Sequence, residues 1–143
     1  MPIPAAHRLA ALLVLVATAT TAAPHGQSVS LDASPTPTEA AALKQALGSD
    51  FDAMAPFNLA HADLNGDGRP DLIARSDSAG WCGSLGCATF ALLATAQGFS
   101  AQAIRLSNAY GPVEILPGVD HGMHELRFSD GDHVFRWSGK AYR

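Results

Sequence analysis

The sequence predicts a mainly β fold: a small antiparallel domain of two sheets, or a propeller-like part of one, with a single N-terminal helix. Three observations predict it. From Phe57 onward, apolar runs of about four to eight residues alternate with clusters of Gly, Pro, Asn and Asp, the punctuation of short strands. One stretch, residues 36–48, carries the start, stripe and stop signals of a helix. Residues 63–71 set oxygen side chains at alternate positions around an Asp-Gly turn, between two strand-like flanks. That loop does not recur in the 143 residues, so a complete multi-bladed propeller is not expected.

At the N-terminus, residues 1–8 carry one fixed positive side chain, Arg8, and residues 9–17 are an apolar run. The run is too short to span a bilayer, which needs about 20 residues. Ala17-Thr18-Ala19 and Thr20-Thr21-Ala22 then supply small residues suited to cleavage. Residues 1–22 therefore read as a secretory signal peptide cut near residues 19–23, and the protein as periplasmic or secreted. No Cys lies there to carry a lipid anchor, and no later segment is apolar for long enough to insert in a membrane. The remaining chain of about 120 residues suffices for one domain. Loss of Arg8, the one charged side chain of residues 1–22, takes the formal charge from −4 to about −5, which disfavours nucleic acid or anionic membrane as a partner.

Residues 23–35, with Ser and Pro accumulating towards position 37, read as a flexible arm, leaving 36–143 as the folded domain. Thr36-Pro37-Thr38-Glu39 begins a helix: Thr36 caps it, Pro37 takes the first helical position, and Glu39 completes a capping box. Ala40, Leu43, Ala46 and Leu47 form one apolar stripe to pack on a sheet, and Gly48 stops the helix.

Residues 57–62 and 72–74 read as the strands of a hairpin around the oxygen-rich loop. Ca²⁺ takes six to eight hard oxygen ligands, and loops of this spacing offer them from positions 1, 3, 5, 7 and 9. Here those are Asp63, Asn65, Asp67, the Arg69 carbonyl and Asp71, with Gly68 permitting the reversal. Position 12, where a bidentate Glu closes the helix-loop-helix version, is Ala74, so Asp71 is expected to take that work. Without an ion the same residues make an ordinary Asn-Gly and Asp-Gly turn, but three carboxylates within nine residues would then repel one another uncompensated.

Cys82 and Cys87 bracket Gly83-Ser84-Leu85-Gly86. In an oxidising compartment they are expected to pair as a structural disulfide beside Trp81, constraining the unfolded chain by about 2 kcal/mol. Redox chemistry favours a Cys-x-x-Cys spacing at a helix start, which is absent. Further strands are expected at 88–95, 99–106 and 113–116. If Asp130-Gly131 is a two-residue turn, Phe128 faces His133, Leu126 faces Phe135 and His124 faces Trp137. One face then carries Leu126, Phe128, Phe135 and Trp137, while Glu125 meets Arg136 on the other.

For catalysis the richest stretch is Asp120-His121-Gly122-Met123-His124-Glu125, enough ligand types for zinc. A two-His zinc motif, however, places i and i+4 on one helix face; His121 and His124 are i and i+3 at a glycine, entering a strand. Ser84 has neither an elbow-like turn nor an assignable base for a Ser-His-Asp triad. No catalytic residue is assigned, and a hydrolase using His121 and His124 stands as the enzymatic alternative. The loop Ser107-Asn108-Ala109-Tyr110-Gly111-Pro112 places an aromatic among turn formers, making Tyr110 and Asn108 candidate partner-binding residues.

The run from Asp63 through Ile73 resembles the calcium loops of FG-GAP repeats, which lie between the strands of integrin-type propellers. Together with Trp81-Cys82-Gly83-Ser84-Leu85-Gly86-Cys87 and the ending Trp137-Ser138-Gly139-Lys140-Ala141-Tyr142, it is similar to a group of small secreted bacterial proteins that implies no established activity. A more distant similarity, through the calcium loop alone, is to periplasmic lysozyme inhibitors and to calcium-binding immunity proteins against cell-wall-degrading effectors. No inhibitory residue is carried over. The expected function is therefore that of a calcium-binding secreted or periplasmic protein acting by binding another protein, such as a lysozyme-like hydrolase. A structural, calcium-stabilised envelope module is the third reading.

Overall fold

The computed structural model describes residues 26–128 and 131–143. The expected signal peptide lies outside the described residues, as do Ser129 and Asp130. The chain opens with β1 (Gln27–Val29), then α1 (Pro37–Leu47), a 3₁₀ turn, and the short α2 (Phe51–Met54). Thr36 and Glu39 form the capping box: Thr36 Oγ1 accepts from the Glu39 N–H at 3.3 Å, and Glu39 Oε2 accepts from the Thr36 N–H at 2.8 Å. Gly48, at φ 59°, ends α1 as its sequence position predicts.

The hairpin of β2 (Phe57–Ala62) and β3 (Asp71–Ser76) follows. The disulfide hairpin β4 (Cys82–Gly83) and β5 (Gly86–Cys87) comes next. Then come β6 (Thr89–Leu92), β7 (Ala94–Thr95), β8 (Gly98–Phe99) and β9 (Ile104–Arg105). The long hairpin of β10 (Val113–Asp120) and β11 (Met123–Phe128), with β12 (Val134–Phe135), completes the fold. Two four-stranded antiparallel sheets result, ordered β1-β10-β11-β12 and β2-β3-β6-β9, as the two-sheet reading requires.

The second sheet is the middle of three layers, and the alternation of side chains along a strand explains its composition. Phe57, Leu59, Leu72, Ala74 and Leu92 face the helix, where they enclose Leu43 and Met54. Ala60, Ala62, Ile73 and Ala91 face the other sheet and meet Val113, Ile115, Met123, Leu126 and Phe128. With both faces covered, all six residues of β3 are buried, which is why this segment lacks a polar-apolar alternation. Leu43 is fully buried; burial of that kind contributes about 1.5–3 kcal/mol and fixes the helix on the sheet.

Four expectations are corrected. Part of the segment read as a flexible arm is tied down: residues 27–29 pair with residues 113–115, and Ala33 bridges Leu59. Val29 and Leu31 pack against the inter-sheet core, so a few apolar side chains outweigh the loop-like composition around them. The strand expected at 88–95 breaks at Leu93, because the Ala94 N–H is taken by the Asp71 carboxylate at 2.7 Å instead of by a neighbouring strand. Residues 99–106 are likewise two short pieces, β8 and β9. The last hairpin keeps the expected register at Leu126 opposite Phe135, with Arg136 bonded to Glu125 at 2.8 Å. Trp137, however, bridges Tyr142 in place of His124, since the Ser138-Gly139 turn folds the C-terminus back on it.

Candidate functional site

The loop between β2 and β3 is held by its own acidic side chains. Asp63 accepts backbone N–H bonds from Gly66 at 2.7 Å, Asp67 at 3.2 Å and Gly68 at 2.8 Å. Asn65 Oδ1 accepts from Asp67, and Asp67 Oδ1 from Arg69. Gly66 and Gly68, at φ 73° and 81°, supply the left-handed conformations that let consecutive N–H groups point inward. Asp71 is fully buried and bonds through both oxygens, accepting from Leu64 and from Ala94, each at 2.7 Å. It thus fastens the end of the loop to the start of β7.

Charge is concentrated here. Burial pushes the Asp71 carboxyl above the usual carboxylate range; its two N–H donors pull the other way, and the charges of Asp67 and Asp63 raise it further. For Asp63, burial also raises, but the N–H groups of Gly68, Gly66, Asp67 and Asn65 outweigh it and hold the carboxyl low. Burial raises the Tyr142 phenol, with the Asp71 charge adding to it. One backbone bond joins the loop to the other sheet, the His124 N–H donating to Leu64 O at 2.8 Å, and Tyr142 Oη donates to the carbonyl of the same His124.

The donor set is one that a hard cation accepts: carboxylates, an amide oxygen and the Arg69 carbonyl, without sulfur or imidazole in residues 63–71. Among the described residues no three His, Cys, Asp or Glu side chains converge as metal ligands do. The Asp side chains of the loop are directed to backbone N–H groups, so holding an ion would require them to turn towards it.

The same holds for the histidines. His121 and Gly122, at φ 47° and 81°, form the two-residue turn joining β10 to β11. His121 Nδ1 bonds the Trp137 carbonyl at 3.1 Å, whereas His124 Nδ1 bonds the Leu116 carbonyl at 2.9 Å, where β10 bulges between Ile115 and Val119. The structure does not bring the two rings to a common point; each serves a turn or a bulge.

Cys82 and Cys87 are bonded and directly opposed in β4-β5. The hairpin meets the loop at 107–112: Cys87 and Ala109 exchange backbone bonds, and Tyr110 Oη donates to Gly83 O. Gly86 is required at this contact, since a Cβ there would lie 2.4 Å from Ala109 backbone atoms. Tyr110 is 59 % exposed and Leu85, at the hairpin tip, 77 %. Asn108 accepts from Arg105 Nη2 at 2.6 Å, and with Leu85 it lines a shallow groove over Phe128 and Phe135. Sequence reasoning missed the residue that holds this loop from below. Arg75, buried in β3, donates through Nη1 to the carbonyls of Tyr110 at 2.6 Å and Gly111 at 2.8 Å, and through Nε to Thr89. Its one signal was an arginine directly after the apolar run Leu72-Ile73-Ala74.

These elements, hairpin, acidic loop and disulfide turn, form a contiguous unit of sequence. Residues 55–86 match the FG-GAP repeat. The match spans β2, the loop, β3 and most of the disulfide hairpin, under a quarter of the chain. FG-GAP repeats are typical of extracellular domains, and no described helix is long and apolar enough to cross a membrane. No curated protein and no solved structure matches the chain.

Proposed function

We propose that the protein is a secreted or periplasmic calcium-binding β domain that acts by binding another protein, with a cell-wall hydrolase as the partner class to test first. The observation that carries the calcium reading is the 63–71 loop: three carboxylates within nine residues, inside an FG-GAP match, with Asp71 raised chiefly by burial and further by the charges of Asp67 and Asp63. A divalent cation bound by Asp63, Asn65, Asp67, Asp71 and the Arg69 carbonyl would relieve that repulsion and replace the N–H contacts that now satisfy the carboxylates. Its role would be to stiffen the loop, which bridges the two sheets through Leu64, Asp71 and His124.

Binding is favoured over catalysis by the surface at Tyr110, Leu85 and Asn108. Two large apolar side chains stand exposed on backbone held by Arg75, by the disulfide hairpin and by the Cys87–Ala109 pairing. Rigid exposed aromatics of this kind form binding hot spots because little entropy is lost on contact. The test is capture of purified lysozyme-like and other muralytic enzymes by the mature protein, with calcium and with chelator. The expected result is a calcium-supported complex that Tyr110→Ala weakens by more than about 1 kcal/mol. Hydrolytic activity of the pure protein that is lost in His121→Ala would establish the enzymatic reading instead.

A further inference from the structure

A cleft of about 610 Å³ lies away from the calcium loop, between the outer edge of the β2-β3-β6-β9 sheet and the C-terminal turn after β12. Its size falls in the range of ligand sites. One wall is three consecutive residues, Ala103, Ile104 and Arg105. Side chains alternate between the faces of a strand, so three residues in a row can border one cleft only where it runs along the edge. β9 is that edge, ending the sheet order. The Leu106 N–H donates to Thr89 O, and Ile104 pairs with Ala91, so by the alternation of an antiparallel ladder the N–H and C=O of Arg105 face outward. Outside the strand ladders neither has a backbone hydrogen-bond partner among the described residues. The opposite wall is Trp137, Gly139 and Lys140.

We propose that this cleft accepts an extended acidic peptide segment of a partner protein, which adds to the sheet as a strand beside β9. The segment's backbone would exchange hydrogen bonds with the outward N–H and C=O of Arg105, the mode by which exposed sheet edges take up peptides. Alternate side chains of the segment would then meet the two kinds of lining. Leu93, Ile104 and Trp137 offer apolar surface, whereas Lys140 offers positive charge, and Arg105, whose guanidinium bonds Asn108 and lies over Phe90, borders the same cleft. No Asp or Glu lines the cleft, although the chain as a whole carries a formal charge of −4. Lys140 is exposed and has no ion pair among the described residues. Short edge strands usually discourage pairing. Here the edge opens into a walled cleft that would hold a segment in register.

The proposal specifies how a protein partner is engaged and rests on the binding reading above, but its test is separate from calcium and from Tyr110. The probes are a fluorescein-labelled peptide of alternating Val and Glu and its Val and Lys counterpart, added to the mature protein with calcium and with chelator alike. Trp81→Phe leaves Trp137 as the tryptophan reporter in the cleft. The expected result is saturable binding of the Val-Glu peptide with a shift in Trp137 emission, reduced about tenfold by Lys140→Glu. Arg105→Pro removes the outward N–H without breaking a ladder bond, whereas Arg105→Ala keeps it. Strand addition predicts that the Pro variant, with its melting temperature checked, binds at least about fivefold more weakly than the Ala variant. Equal binding by the two variants, equal affinity for the Val-Lys peptide, or no binding up to about 1 mM would each overturn the proposal. So would dimerisation in sedimentation that Arg105→Pro abolishes, assigning the edge to a second copy of the chain. A Trp137 response to N-acetylmuramic acid with none to the peptide would assign the cleft to an acidic sugar.

Discussion

Single residues decide the geometry at two places far from each other. At the start of α1, burial alone would raise the Glu39 carboxyl, but bonds from the Thr36 backbone, His61 and the Thr36 hydroxyl outweigh it and hold the group below its ordinary value. A carboxyl lowered on folding contributes stability above its unfolded pKa and loses it as pH falls through the folded value. Glu39→Gln should therefore have a lower denaturant midpoint than wild type at pH 7, with the gap closing below about pH 4. Thr36→Ala should cost about 1 kcal/mol at neutral pH. At the disulfide hairpin, Gly86 combines φ 107° with contact to the Ala109 backbone. Gly86→Ala should lower stability by more than about 2 kcal/mol, read as a shift in denaturant midpoint, because the left-handed conformation and the missing space penalise the same methyl group. An unchanged midpoint would mean that residues 107–112 can move off the hairpin freely.

Among the elements, those set by local chemistry were legible in the sequence. The Thr36–Glu39 cap, the Gly48 stop, the hairpin around residues 63–71 and the opposition of Leu126 to Phe135 each follow from residues close in the chain. Elements set by distant partners were not. Nothing in Gln27-Ser28-Val29 announces residues 113–115 as its partner, and the end of β6 depends on an Asp71 oxygen more than twenty residues earlier. In the candidate site, the acidic turn at residues 63–71 could be read from spacing alone. Arg75 beneath Tyr110 could not, since only the fold brings residue 75 to residue 110. The Cys82–Cys87 bridge closes a short ring, so Cys82→Ser combined with Cys87→Ser should reduce stability by about 2 kcal/mol. If the bridge also fixes the Leu85–Tyr110 surface, partner capture should fall by more than that stability loss explains, measured well below the melting temperature.

At the scale of the whole molecule, the helix, the middle sheet and the outer sheet form two cores that share the β2-β3-β6-β9 sheet as their common wall. The acidic loop lies where the sheets are joined: Asp71 ties it to β7, and Leu64 ties it to His124 in β11. A cation bound there would brace both sheets and stabilise the domain as a unit. The most direct test is thermal unfolding of the mature protein in calcium and in excess chelator, with metal content measured on the same sample. With free calcium about a hundredfold above the dissociation constant, mass action adds about 2.7 kcal/mol. The account predicts one calcium per chain, a melting temperature that drops on chelation, and loss of most of that difference in Asp67→Ala. No bound metal, together with a melting temperature that chelator leaves unchanged, would contradict it.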